Sequence, residues 1–150
     1  MAIQTSAGTT LGISTSLPTT FDDDATTGYP SLSFTTVGEI TEIPAFGSVY
    51  TLVTHSPLGE RTIVKKKGSV NDGSIAISFA ADASDTGQAA LRTQHTSDSE
   101  IAVKITYPDG EDDYFTALVM DYQMNAGGAD SIKTDSVTME LTRPPVNTAA

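Results

Sequence analysis

The sequence predicts a mainly β protein: a β-sandwich with one flanking α-helix and a long loop between its second and third strands. Three observations carry this prediction. Short runs rich in Thr, Ser, Val and Ile alternate between apolar and polar residues, as half-buried strands do. Clusters of Gly, Pro, Asn and Asp separate these runs. One segment alone carries the start signal of a helix.

The predicted strands follow from this alternation. The clearest is 101–107, where Ile101, Val103 and Ile105 share one face. The turn Pro108-Asp109-Gly110 connects it to a returning strand at 114–122. The other predicted strands are 9–17, 33–43, 61–67, 74–81 and 131–143, which makes about seven in total.

A helix is predicted at about 86–96. Asp85 precedes Gln88 by three residues, as in a capping box, and good helix formers follow. Leu91 is the only large apolar residue of this segment, so the helix would be unstable alone and is placed on the flank of the sheet. Gly38, inside the strand 33–43, indicates a bulge or a close approach of another part of the backbone.

The segment 44–60 is longer than most connections in compact domains, which are usually functional or disordered when they exceed about 12–15 residues. Its apolar content argues against disorder. Two interpretations stay open: the segment folds back over its own core, or it is an arm that packs on another subunit. The apolar residues concerned are Phe46, Val49, Tyr50, Leu52, Val53 and Leu58.

Composition excludes several classes of function. The chain of 150 residues is expected to form one domain, 1–150. It contains no Cys, which excludes disulfides, thiolate metal sites and a cysteine nucleophile. We recognise no signal peptide and no apolar run of about 20 residues, so a soluble protein made in the cytoplasm is expected. The net charge of −11 indicates either simple solubility or a surface that an anionic polymer passes without adhering.

No pattern of catalytic or metal-binding residues is recognised. His55 and His95 have no partner at metal-ligand spacing. The carboxylate clusters at 22–24 and 109–113 lack the EF-hand pattern. The basic run Lys65–Lys67 is interpreted as a solvated edge strand protected against mispairing. We therefore predict that the chain is not an enzyme and has no catalytic residues, metal or cofactor.

The order of these elements resembles the tail tube (major tail) proteins of long-tailed bacteriophages over about residues 15–143. The stretches that carry the resemblance are Phe34-Thr-Thr-Val-Gly-Glu-Ile-Thr-Glu-Ile43, the long apolar loop, Lys67-Gly68, Asp72-Gly73-Ser-Ile-Ala-Ile77, Asp85-Thr-Gly-Gln-Ala-Ala-Leu91, Asp109-Gly110 and Gly127-Gly-Ala-Asp-Ser-Ile132.

This resemblance implies rings of six subunits that stack into a tube, with inner sheets joined into a β-barrel around an electronegative channel for DNA. It implies contacts through an N-terminal arm and first strand (1–18) and an assembly loop (44–60), ahead of a loose C-terminal tail (144–150). The expected contact residues are Ile3, Leu11, Phe46, Val49, Tyr50, Leu52, Val53 and Leu58. The expected channel-lining residues are Glu39, Thr41, Asp121 and Glu140.

The resemblance also implies partners. They are further copies of the chain and the tape measure, tail terminator and distal tail proteins, with DNA passing unbound and no membrane involved. The expected location is the virion tail, after assembly in the host cytoplasm. Two alternatives stay open: a tube protein of a contractile injection system, and a monomeric β-sandwich that binds carbohydrate or protein. The absence of Trp argues against a sugar-stacking surface.

Overall fold

The computed structural model describes residues 3–149, which contain ten β-strands and one α-helix. The elements, in chain order, are β1 (Thr10–Ser14), β2 (Thr35–Val37), β3 (Ile40–Glu42), β4 (Val49–His55), β5 (Val64–Asn71), β6 (Ser74–Ala80), α1 (Thr86–His95), β7 (Ile101–Thr106), β8 (Asp112–Asn125), β9 (Thr134–Leu141) and β10 (Val146–Thr148). The predicted mainly β class with a single helix is confirmed. None of the helical segments within 3–149 is long and apolar enough to cross a membrane.

Eight strands form one antiparallel sheet in the order β2-β1-β7-β8-β9-β6-β3, with β10 added on β8. The two end strands of this order, β2 and β3, are separated in sequence by Gly38 and Glu39 alone. Because the three Cα–Cα steps from Val37 to Ile40 span at most about 11 Å, the sheet must curl until its opposite edges approach each other. The predicted sandwich therefore consists of one curled sheet, and the strand predicted at 33–43 is a corner at which the chain crosses between edges.

A bulge in β8 contributes to this curvature. The first half of β8 pairs with β7 and the second half with β9. Val119 lies opposite Met139 and Asp121 opposite Thr138, which leaves Met120 unpaired. Such an extra residue bends a strand and increases its twist.

The main core lies on the concave side of the sheet. Buried apolar residues of β1, β2, β6, β7, β8 and β9 form one cluster together with Leu91 of α1. A smaller cluster covers the other face of β7 and β8, where the Tyr29 ring stacks on Tyr114 at 5.5 Å between centroids. The segment between β1 and β2 therefore covers part of the outer face.

The helix is attached to the sheet through Asp85 and Gln88. A side-chain oxygen of Asp85 accepts hydrogen bonds from the backbone N–H of Gln88 (2.9 Å) and of Gly38 (3.1 Å). The buried Gln88 amide donates to the carbonyls of Gly38 and Ala80 and accepts from the N–H of Asp82. The predicted N-cap is confirmed, but Gln88 bonds to the sheet corner instead of closing a capping box. A Cβ at Gly38 would lie 2.9 Å from Asp85 Oδ1, which explains the glycine.

We expect Asp85→Ala to lower the free energy of unfolding by about 1–2 kcal/mol, because the cap and the bond to Gly38 are lost together. Urea unfolding of the unassembled subunit, followed by circular dichroism, measures this change. Asp98→Ala is the matched control, since Asp98 is exposed and lies beyond the end of α1. Equal loss of stability in both variants would contradict the assignment.

Two local predictions are wrong. Residues 68–73 are not all turn, since β5 continues to Asn71 and the chain reverses at Asp72 and Gly73, where Gly73 adopts φ 90°. The C-terminal tail is not loose over its whole length, because β10 pairs with β8, with Val146 opposite Tyr114. Both errors arise from long-range pairing, which local composition does not encode.

Candidate assembly surfaces

The segment predicted as a long loop forms half of a β-hairpin. Strands β4 and β5 pair from Val49 opposite Asn71 to His55 opposite Val64, as a two-stranded sheet separate from the main one. Apart from the half-buried Gly68, every residue of the two strands is exposed. The hairpin therefore projects from the body and does not fold back over its own core, whereas packing of residues 49–58 on another subunit stays a prediction.

The projecting hairpin carries the largest group of exposed apolar side chains in the described chain. The predicted contact residues Val49, Tyr50, Leu52, Val53 and Leu58 all belong to it, and Leu52, for example, is 63% exposed. Ile63, Val64 and Val70 on the returning side are also exposed and were not predicted as contact residues, although a strand was predicted at 61–67. An isolated two-stranded hairpin is marginally stable in water, so this one is expected to acquire a packing partner.

The other predicted contact residues lie in different surroundings. Leu11 is fully buried in the core of its own subunit, between Val37 and Ile105, so its prediction as a contact residue is wrong. Phe46 is half-buried at the base of the hairpin, where its ring packs on Phe115 at 5.4 Å. Ile3 is fully exposed ahead of β1.

The hairpin also differs from the rest of the chain in charge. Residues 49–71 hold four of the eight Lys and Arg residues and a single carboxylate, Glu60, which is a formal charge of +3. The remaining residues hold four cations and eighteen carboxylates, which is −14. Within residues 3–149 the lysines of β5 form no ion pair, and Lys67 Nζ lies 4.5 Å above the ring of Tyr50.

A second surface is the outer face of β3, β6, β9 and the second half of β8, which we call the polar face. Ser78, Ser136 and Gln123 lie side by side across it, as do Ala76, Thr138 and Asp121. The strand positions that point to this face include Glu42, Asp121 and Glu140 and, among the described residues, no Lys or Arg. The polar face is therefore small-residue, hydrophilic and electronegative.

The predicted channel residues are distributed unevenly over this surface. Glu140 is exposed on the polar face, opposite Ser74. Asp121 is half-buried there, and its Oδ1 accepts a hydrogen bond from the Thr138 N–H at 3.0 Å, which holds the bulge. Thr41 is exposed at the irregularity in β3, whereas Glu39 lies outside the strands with φ 62°.

Glu42 was missed by the sequence reasoning. It lies opposite Ser78, which places its carboxylate on the polar face. Strict alternation along 33–43 would place Glu42 on the face opposite Glu39 and Thr41. Alternation cannot anticipate the corner at Glu39 or the irregularity in β3.

A third surface is a groove of about 770 Å³ beside the base of the hairpin. Its lining includes Ile43, Phe46 and Tyr107, with the carboxylates of Glu42 and Asp113. The Tyr107 hydroxyl donates to Asp113 at 2.5 Å. Burial, reinforced by the neighbouring carboxylates Asp113 and Glu111, raises the pKa of Tyr107 well above its usual value.

The acidic turn next to this groove, residues 109–113, follows β7. Asp109, Glu111, Asp112 and Asp113 form no ion pair with a Lys or Arg within residues 3–149. Burial, together with Asp112, raises the pKa of Tyr114 to about 12. No group of three or more His, Cys, Asp or Glu residues in the described part of the chain is arranged to hold a metal ion.

Neither a protein-family model nor a curated protein matches this sequence. Solved structures do match its fold. A chain of the SPP1 tail tube aligns with 95% of this chain and 77% of its own length, at a TM-score of 0.64 and 15% identity. A chain from the tail of an empty gene transfer agent particle with C6 symmetry aligns over 98% and 100%, at a TM-score of 0.68 and 13% identity. This chain has the tail-tube fold.

The tail-tube fold is also shared with contractile machines. A chain from the sheath–tube complex of the PVC extracellular contractile injection system aligns with 95% of this chain and 88% of its own, at a TM-score of 0.62 and 10% identity. Nearly the whole chain is covered in each alignment. Sequence identities this low show a shared fold alone.

Proposed function

We propose that this chain is a structural subunit that self-assembles into hexameric rings, which stack into a tail tube through which phage DNA passes. The observation that carries the proposal is the exposed hairpin β4–β5. An apolar arm of this size favours aggregation unless a partner covers it, and neighbouring copies in a tube are such a partner. The tail-tube fold supports the same assignment.

The polar face supports a channel in this assembly. Carboxylates at Glu42, Asp121 and Glu140, with hydroxyl and small side chains around them, repel the phosphate backbone of DNA. Joining polar faces from neighbouring subunits would surround a lumen with negative potential, so DNA would move along it without adhering. Glu39 and Thr41 remain proposed lining residues at the edge of this face.

The proposed partners are further copies of the chain and the tape measure, tail terminator and distal tail proteins, in a virion tail assembled in the host cytoplasm. The role is structural, without catalysis, and the chain 1–150 acts as one domain. The second candidate function is the tube of a contractile injection system, which the likeness to the PVC sheath–tube complex favours.

Electron microscopy of the concentrated, purified protein tests this function. We expect uniform tubes with six-fold symmetry, because the hairpin and the open sheet edges are completed by neighbouring copies. Light scattering after size exclusion provides the matching measurement in solution. A strictly monomeric protein at high concentration that binds an oligosaccharide matrix would instead favour the monomeric binding module and refute the proposal.

A further inference from the structure

The hairpin and the groove carry opposite charges, and neither the lysines of the hairpin nor the carboxylates of the acidic turn form an ion pair within residues 3–149. Lys65, Lys66 and Lys67 are exposed on β5 among the apolar residues of the hairpin. The groove combines an apolar and aromatic lining with carboxylates and borders the acidic turn 109–113. The apolar and basic side chains of the hairpin thus complement the apolar lining and the carboxylates of the groove.

We propose that the hairpin of one copy docks in the groove of a second copy, with its lysines facing the carboxylates of the acidic turn. This inference rests on the proposed self-assembly and names the surfaces that perform it. The apolar side chains of the hairpin lie against Ile43, Phe46 and Tyr107 of the second copy. The charges set the register of the contact and exclude wrong pairings.

The proposed contact joins two copies of the chain, because the hairpin projects away from the body of its own subunit. Ser48 and Asp72 mark its base, where the Ser48 hydroxyl donates to Asp72 at 3.0 Å. Beyond this base each strand extends for seven or eight residues, about 20–25 Å. Lys65 lies six residues from Asn71 at the base, about 20 Å along the strand, and the lysines form no ion pair with the described part of their own subunit.

A second copy fits the hairpin better than DNA does. Lysines that bind phosphate need a basic surface that is continuous with them, but the body of the subunit has a formal charge of −14. Apolar residues also alternate with the lysines across the hairpin, with Leu52 opposite Lys67 and Val53 opposite Lys66. This mixture is typical of a protein interface with an apolar centre and a charged rim.

Charge reversal of the hairpin tests the proposal. The variant K65E/K66E/K67E should assemble at least about ten-fold less readily than the wild-type protein at 0.1 M salt, because several weak exposed ion pairs are reversed at once in every subunit. Wild-type tubes should also weaken between 0.1 and 1 M salt, over which the screening length falls from about 10 Å to 3 Å. Sedimentation and electron microscopy measure assembly, and circular dichroism verifies folding.

A compensating charge reversal in the acidic turn identifies the surface to which the hairpin binds. Adding D109K/E111K to the hairpin variant should restore tubes, because hairpin and turn are then complementary again with inverted signs. The control adds D23K/D98K instead, which changes the net charge equally at exposed sites away from the groove. We expect no rescue by this control.

Three results would overturn the inference. The first is normal assembly of K65E/K66E/K67E, which would leave the proposed function intact. The second is equal rescue by D23K/D98K, since assembly would then depend on net charge alone. The third is wild-type binding of a short DNA duplex that the hairpin variant loses while it still forms tubes. If the wild-type protein forms no tubes under any condition, the proposed function itself fails.

Discussion

A subunit in which an Asn-Gly turn replaces residues 49–71 is expected to remain folded and to form no tubes. The hairpin is separate from the main sheet, and its strands are exposed on both faces, so its removal leaves the core complete. The two cut ends are already adjacent, since Val49 lies opposite Asn71. A two-residue turn can connect strands at this separation. The free energy of unfolding should change by less than about 1 kcal/mol, while assembly is lost completely.

Electron microscopy and sedimentation measure the assembly, and urea unfolding measures the stability. Removal of 47–59 alone would be a poorer test, because it would leave β5 without its partner strand. A point variant, Leu52→Asp with Val53→Asp, should reproduce the loss of tubes. Its matched control, Leu52→Met with Val53→Ile, keeps the apolar surface and should assemble. An unfolded replacement variant would instead assign the hairpin to the core and contradict its role as an arm.

The second large effect is expected in the polar face. Tubes of the variant Glu140→Lys should assemble normally but bind DNA, because in every subunit a cation then replaces one of the three carboxylates at the strand positions of the polar face. Glu42 is left unchanged, since it also lines the groove. We expect an affinity for DNA at least about ten-fold higher than that of wild-type tubes at 50 mM salt, falling steeply as salt rises. Co-sedimentation of labelled DNA with purified tubes measures it. Asp121 is left unchanged, since its carboxylate holds the bulge in β8.

Two further variants separate the effect of the polar face from the effect of total charge. Glu140→Gln removes the same carboxylate without adding a cation, and should bind DNA less than the lysine variant. Asp98→Lys introduces the same charge change at an exposed site away from the polar face. If that variant binds DNA as strongly, the effect belongs to total charge and the polar face is not the channel wall.

Much of the fold could be predicted from local sequence. The strand of Ile101, Val103 and Ile105, the turn at Gly110 and the helix capped by Asp85 all form as expected. In each case the determining signal is contained within about ten residues: an alternation of period two, a glycine with positive φ, or a side-chain oxygen at an N-cap. The apolar character of residues 49–58 and a strand at 61–67 were also predicted, although not the pairing between the two segments.

The candidate surfaces could not be predicted from local sequence, because they form by pairing between strands that are distant in the chain. Leu11 is predicted as a contact residue of the N-terminal arm but is enclosed by β2 and β7. Val146 is predicted in the loose tail but pairs with β8. The basic run Lys65–Lys67 was predicted on an edge strand, but its apolar surroundings follow from the pairing of β5 with β4. Glu42 reached the polar face because the chain turns sharply at Glu39.

The sequence by itself thus determined the β class, the helix, the acidic balance of the chain and the presence of an unusual apolar segment. The tertiary structure alone decided which apolar residues are buried and which project, and which carboxylates share a face. The physical reason is that alternation and capping act through neighbouring residues, whereas burial depends on register between strands far apart in the chain. A shift of one residue in that register exchanges the two faces of a strand.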